Sequence, residues 1–368
     1  PEPAHRLAKL YIEPTSRCNL ACRTCMRNGW GEPLGDMAPA TFARIMGSLH
    51  DSDLPLTIFF GGIGEPLVHP EILNMVRAAK AAGAQVELIS NGTLLDDEKA
   101  RGLIAAGLDR LWVSLDGATP EGYTDVRLGA ALSQVIRQVA RLRDLRESGK
   151  PEIGIAFVAM RRNISELPAL LRLSRTLGAS RFMVTNVLPY TATMCDEVLY
   201  SRALSNNDYS AVPDLPDLSL PKMDRDLPHR DLIRQALADA WDMIPGKNGE
   251  KAVNDRCPFI DNGVLAVGWD GGVSPCLPLL HNATSYLHGY ARQSRRWVIG
   301  RVQDQTLRDL WDSPLHSAFR ERVRSFDFSP CTMCDGCILS ESNEADCYGN
   351  EFPTCGGCLW AQGIIQCP

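Results

Sequence analysis

The 368-residue sequence has no apolar stretch of 18 residues, which excludes an ordinary membrane-spanning helix. Pro1–Leu10 lacks the apolar run of a signal peptide. Neither sign of charge dominates: 38 Lys and Arg stand against 44 Asp and Glu, so the formal net charge is −6. Such a chain gives no electrostatic reason to bind nucleic acid. Cysteine is scarce through the middle, where only Cys195, Cys257 and Cys276 occur between Cys25 and Cys331. A secreted disulfide protein would spread its cysteines more evenly. What is present is ordinary globular composition, 45% apolar and 22% charged, in a length that suits two or three domains.

The 13 cysteines are clustered: seven of them fall between Cys331 and Cys367. An odd, clustered set without an export signal reads as metal ligation in a reducing cytoplasm.

The first half alternates two periods. Lys9–Glu13, Leu56–Phe60, Gln85–Ser90, Arg110–Leu115, Ile153–Ala159 and Arg181–Val187 read as short buried strands. Helical patterns lie between them: one opens at Pro39, and Pro70–Ala82, Asp96–Ala106, Leu132–Arg146 and Ser165–Leu177 follow. Gly83 and Gly107 stop two of these. Strand–helix alternation requires parallel pairing with right-handed crossovers. Six units are too few for an eight-fold barrel, so the pattern predicts an α/β fold with a partial (β/α)6 TIM-like barrel over residues 1–190. Residues 191–250, polar and proline-rich at first, read as a linker or lid with one helix near Asp231–Met243. Residues 251–368 read as a second, cysteine-rich domain of short strands and turns.

Directly after the first strand comes Glu13-Pro-Thr-Ser-Arg-Cys18-Asn-Leu-Ala-Cys22-Arg-Thr-Cys25, a C-x3-C-x2-C spacing. Three thiolates on one tight loop can hold three irons of a 4Fe–4S cube and leave the fourth iron open. A zinc site is the alternative, but zinc prefers four ligands in CxxC or CxxH pairs, and no His lies near this loop. Other polar groups fall at strand ends: Gly61-Gly62-Ile63-Gly64-Glu65-Pro66, Ser90-Asn91-Gly92-Thr93 and Ser114-Leu115-Asp116-Gly117. Each taken alone is also an ordinary turn sequence. Parallel barrels keep their chemistry at these C-terminal strand ends.

The three-cysteine loop resembles the signature of radical S-adenosylmethionine (SAM) enzymes, although Thr24 stands where an aromatic residue is frequent. The resemblance implies that Cys18, Cys22 and Cys25 carry a 4Fe–4S cluster with an open iron. It implies that the turn containing Gly62, Gly64, Glu65 and Pro66 meets the SAM amino group. It also implies that Ser90 and Asn91, Ser114 and Asp116 approach the ribose or ammonium, and that Arg127 lies near the SAM carboxylate. The implied chemistry is one-electron cleavage of SAM to methionine and a 5′-deoxyadenosyl radical, which abstracts hydrogen.

Cys257 and Cys276 flank Asp270-Gly271-Gly272, a hairpin signal, and are followed by Cys331, Cys334, Cys337, Cys347, Cys355, Cys358 and Cys367. Two clusters need up to eight thiolates, and nine cysteines are present. Cys331-x2-Cys334 with Cys355-x2-Cys358 also has zinc-ribbon spacing. This layout resembles the SPASM domain, a small α+β extension that carries auxiliary iron–sulfur clusters. All nine are candidate ligands, of two auxiliary 4Fe–4S clusters, with no partition between them legible. Cys195, isolated in the linker, is a buried thiol or alternatively a hydrogen-atom donor or spare ligand. His281, His288 and His316 have no ligand spacing and read as structural or surface residues; Trp112 and Trp311 read as core.

The tail, Phe352-Pro-Thr-Cys-Gly-Gly-Cys-Leu-Trp-Ala-Gln-Gly-Ile-Ile-Gln-Cys-Pro368, is similar to that of maturases linked to tungsten-containing aldehyde oxidoreductases. That resemblance implies a radical modification of the tungstopterin cofactor or of the oxidoreductase polypeptide, with electrons from ferredoxin or flavodoxin. The alternatives are a radical SAM enzyme that crosslinks a peptide substrate and a non-catalytic iron–sulfur electron carrier.

Overall fold

The computed structural model describes residues 6–49, 56–205, 209–210, 218–224, 231–232, 235, 255–334 and 337–368. Most of the helix expected near Asp231–Met243 lies outside the described residues.

Six parallel strands run in sequence order: β1 (Lys9–Ile12), β2 (Thr57–Phe60), β3 (Gln85–Ser90), β4 (Arg110–Ser114), β5 (Glu152–Ala159) and β6 (Ala179–Asn186). Helices α1 (Pro39–Gly47), α2 (Ile72–Ala81), α3 (Asp97–Ala105), α5 (Leu132–Leu145) and α6 (Leu167–Thr176) fall between them. β4 is followed by an additional short helix, α4 (Pro120–Val126), which periodicity did not predict. It is held by its cap, where Thr119 accepts from the Gly122 amide at 3.1 Å. These units form the partial (β/α)6 barrel.

The linker contributes more than a loop. A short helix spans Ser201–Ser205, β7 (Tyr209–Ser210) pairs with β9 (Met223–Asp224), and β8 (Leu218–Ser219) joins β6 in parallel. In the C-terminal part, β10 (Val264–Val267) and β11 (Gly272–Ser274) form the expected hairpin. β10 then pairs in parallel with β1, Lys9 opposite Val264 through Ile12 opposite Val267. A second hairpin joins β12 (Ala283–Leu287) to β13 (Tyr290–Ser294), and β14 (Gly300–Arg301) closes the far edge beside β11. Among the described residues ten strands thus form one sheet, ordered β14-β11-β10-β1-β2-β3-β4-β5-β6-β8.

The period of two in each strand divides the core. Leu10, Ile12, Ile58, Phe60, Leu88, Val113 and Ile155 face the helices. Their neighbours Tyr11, Phe59, Trp112, Ala156 and Met183 face inward and pack with Phe259, Ile260, Ala266, Cys276, Leu279 and Phe319 of the C-terminal part. The inner face of the barrel is therefore covered by the cysteine-rich region. Trp112 and Trp311 are both core residues. No described helix is long and apolar enough to cross a membrane.

Candidate active site

The ends of β1, β2 and β3 are knitted by buried groups. Glu65, fully buried, accepts from the Leu67 amide at 3.0 Å, the Ser90 hydroxyl at 2.8 Å and the Asn91 amide at 2.7 Å. Its backbone amide donates to the Arg17 carbonyl at 2.8 Å. Burial pushes its carboxyl up, and these three donors oppose that. Glu65 thus spends its acceptors within the fold. Pro66 begins the short 3-10 turn that Glu65 caps. A Cβ at Gly64 would stand 2.0 Å from the Thr15 carbonyl oxygen, so only glycine lets the turn meet the cysteine loop. Gly62, at φ +142°, presses against Glu13, whose carboxylate accepts from the Ile63 amide at 3.0 Å.

The loop after β1 carries Cys22 buried and Cys18 and Cys25 half-buried. The Leu20 amide approaches the Cys18 sulfur at 3.4 Å, and Asn91 Nδ2 stands 3.9 Å from it. Arg127 Nη1 stands 3.9 Å from the Cys22 sulfur, while its Nε donates to Asp116 at 2.6 Å. Asp116 is wholly buried and accepts from the Val158 amide at 2.8 Å with its other oxygen. Burial pushes the Cys22 thiol up, and the Arg127 charge opposes it. Ser114 is buried at the end of β4. The structure therefore gathers Glu65, Ser90, Asn91, Asp116 and Arg127 around the three thiols, largely bonded to one another.

Sequence reasoning missed Tyr123. This residue of α4 is fully buried, its hydroxyl has no partner among the described residues, and its charged neighbours are Arg127, Asp116, Cys22 and Glu65. Burial pushes its phenol up to about 12. A buried hydroxyl without a partner is uncommon and leaves a polar group beside the thiols with its hydrogen bond unmet. Together with three thiols and the glycine turn, that donor set fits a cluster with a polar organic ligand.

Beside this loop lies a cavity of about 220 Å³ between the barrel's inner face and the C-terminal part. Tyr11, Phe59, Tyr190 and Trp360 give it aromatic walls, and Glu13, His281 and Cys367 its polar ones. His281, expected to be structural or on the surface, is buried here between two carboxylates, Glu13 at 2.9 Å and Glu32 at 3.1 Å. Burial alone would lower its pKa, but hydrogen bonds and charge from Glu13 and Glu32 raise it overall. Donation from both ring nitrogens requires the imidazolium. No local spacing could reveal this, since its partners lie about 250 residues away.

The C-terminal thiols separate into groups. Cys257, Cys276, Cys355 and Cys358 line one cavity of about 70 Å³. Burial pushes the Cys257 thiol up to about 12 and moves the other three upward as well. Iron would take the place of those protons. Cys331 and Cys334 line a neighbouring site with His288 and Arg292, with Cys337 three residues on. Cys347 is exposed and lines neither cavity. Cys367 takes a hydrogen bond from Trp360 Nε1 at 3.2 Å and faces the large cavity. Cys195 is half-buried in a separate cavity of about 180 Å³ with Tyr200, Tyr286 and His288. Among the described residues no three His, Cys, Asp or Glu side chains stand as ligands of a single metal ion. Cluster ligands each take a different iron and need not converge on one point.

A parallel barrel with a three-thiol loop at its C-terminal strand ends, covered by a region of grouped thiols, defines an iron–sulfur enzyme. The chain belongs to the radical SAM superfamily, whose family model matches residues 12–173; the model of an iron–sulfur cluster-binding domain, SPASM, matches residues 257–338. It is 32% identical over 366 residues to the "tungsten-containing aldehyde ferredoxin oxidoreductase cofactor-modifying protein" of Pyrococcus furiosus, covering 98% of this chain and 96% of that one. It is 31% identical over 187 residues to the PqqA peptide cyclase of Gluconobacter oxydans, 49% of each chain. The fold resembles Streptococcus suis SuiB bound to its precursor peptide SuiA, with TM-score 0.60, 15% identity, and 92% of this chain and 73% of that chain covered. Membership implies SAM and a 4Fe–4S cluster, and the SPASM match implies auxiliary clusters.

Proposed function

We propose that this protein is a cytoplasmic maturase that modifies the tungstopterin cofactor, or the polypeptide, of a tungsten-containing aldehyde oxidoreductase. The observation that carries this reading is the similarity to a cofactor-modifying protein along nearly the whole of both chains. In this reading Cys18, Cys22 and Cys25 hold the first cluster, and the turn at Gly62 and Gly64, packed against Glu13 and the Thr15 carbonyl, lies beside them where the SAM amino group binds. When bound, cluster and SAM supply a 5′-deoxyadenosyl radical able to take hydrogen from an unactivated carbon. Tyr123 offers its hydroxyl to the bound ligand, and Arg127 supplies positive charge beside Cys22. Tyr11, Phe59, Tyr190 and Trp360 exclude water from the substrate cavity. Cys257, Cys276, Cys355 and Cys358 hold a closed auxiliary cluster; Cys331, Cys334 and Cys337, with Cys347 from the next turn, hold a second. Ferredoxin or flavodoxin donates the electrons.

The second reading is peptide modification, favoured by the 31% identity to a peptide cyclase over half the chain. The test is 5′-deoxyadenosine release by iron-loaded protein under anaerobic conditions with SAM and a strong reductant. The assay is run alone, with immature tungsten oxidoreductase, and with a tungstopterin source. Stimulation by either partner supports the maturase and identifies the target. Slow release that neither stimulates refutes it in favour of a peptide substrate.

A further inference from the structure

We propose that Arg292 is a positioning residue for charge: it sets the reduction potential of the clusters in both groups of C-terminal thiols. This rests on reading those thiols as cluster ligands. Arg292 points inward from β13, where its neighbours Ala291 and Gln293 are exposed. Its side chain lines the cavity of Cys257, Cys276, Cys355 and Cys358 and also the site of Cys331 and Cys334. The guanidinium lies against Gly357, between Cys355 and Cys358. A Cβ there would stand 2.3 Å from Arg292 Cζ and 2.4 Å from Nη2, so the cation occupies the space of the missing side chain. Nη1 donates to the carbonyl of Ser340, three residues beyond Cys337.

Arg292 is buried, at 6% exposure, and among the described residues no carboxylate pairs with it. A guanidinium stays protonated in proteins. A buried cation without an anion is costly. The anions within its reach are sulfur: Cys331, Cys358 and Cys355 each favour its charged form against the penalty of burial. A cluster held by four thiolates carries net negative charge, and one-electron reduction adds to it. A fixed cation beside the cluster therefore favours the reduced form and raises its potential. One residue in contact with both thiol groups moves both potentials in the same direction.

The experiment is an anaerobic redox titration followed by electron paramagnetic resonance. It uses iron-loaded protein in which Cys18, Cys22 and Cys25 are replaced by Ala, so that only C-terminal clusters report. Arg292→Gln is expected to lower the reduction constant of both clusters at least tenfold, 59 mV for a one-electron couple. Arg292→Lys, which keeps a charge near the same place, is expected to stay within threefold. Should Arg292→Gln fail to hold iron, Gly357→Ala displaces the guanidinium by occupying its space and is expected to act in the same direction. Potentials unchanged within twofold in an iron-replete Arg292→Gln or Gly357→Ala protein would overturn the proposal. Iron sufficient for one cluster alone would instead overturn the ligand reading beneath it.

Discussion

Asp116 is where the candidate site is most exposed to a single change. Its carboxylate is inaccessible, one oxygen on Arg127 Nε at 2.6 Å and the other on the Val158 amide at 2.8 Å. Replacing it by Ala leaves the Arg127 guanidinium, 12% exposed at its side chain, buried without its anion. Removing one partner of a buried pair costs about 3–5 kcal/mol. The stranded Val158 N–H adds about 1–3 kcal/mol, though the two losses need not sum. Against a total stability of about 5–15 kcal/mol, such a loss brings the fold near its limit. The assay is urea denaturation of wild type, Asp116→Ala, and Asp116→Leu with Arg127→Met, which removes both charges. The single variant is expected to lose about 4 kcal/mol, and the double variant to recover part of it. Asp97 is the control: it pairs with Arg101 and Arg141 on the open surface, and solvent screens both bonds. If Asp116→Ala shifted the midpoint no further than Asp97→Ala, the reasoning from buried charge would be refuted.

Gly64→Ala places a methyl 2.0 Å from the Thr15 carbonyl oxygen and 2.7 Å from that of Arg17, and neither backbone atom can swing aside. It is expected to cost about 1–3 kcal/mol and to lower iron retention by the first cluster, read by melting temperature and iron analysis. His316, wholly buried and beside the Arg320 guanidinium, titrates at about 4 rather than 6.5. As pH falls through 6.5 the unfolded chain takes a proton that the folded chain refuses until about 4, so stability is lost across that window, by about 3 kcal/mol in full. His316→Gln is expected to flatten the stability profile between pH 6.5 and 5; an unchanged slope would refute the assignment.

Much of the barrel was legible because each strand is short, apolar on both faces and stopped by a turn. Phe59 and Phe60 face opposite cores, and a run buried on both sides reads as a strand in any register. The cysteine loop was legible because its three thiols lie within eight residues of one another. What was hidden lies at long range or in weak signals. Val264–Val267 is a four-residue apolar run, and nothing in it says that its partner is β1 rather than a neighbour in sequence. Helix α4 is seven residues with a glycine inside, too short for a period, though the Thr119-Pro120 start could have revealed it. The grouping of Cys355 and Cys358 with Cys257 and Cys276, rather than with Cys331 and Cys334, joins segments about 80–100 residues apart and leaves no trace in local spacing.

The pairing of β1 with β10 also bears on how the chain is made. β1 is synthesised about 255 residues before the strand that covers its outer edge. At 5–20 residues per second, that edge stands open on the ribosome for roughly 13–50 s. The loop bearing Cys18, Cys22 and Cys25 hangs from the end of the same strand. During that interval the three thiols belong to a nascent sheet with a free side, not yet packed against the cysteine-rich region that covers the inner face of the finished barrel.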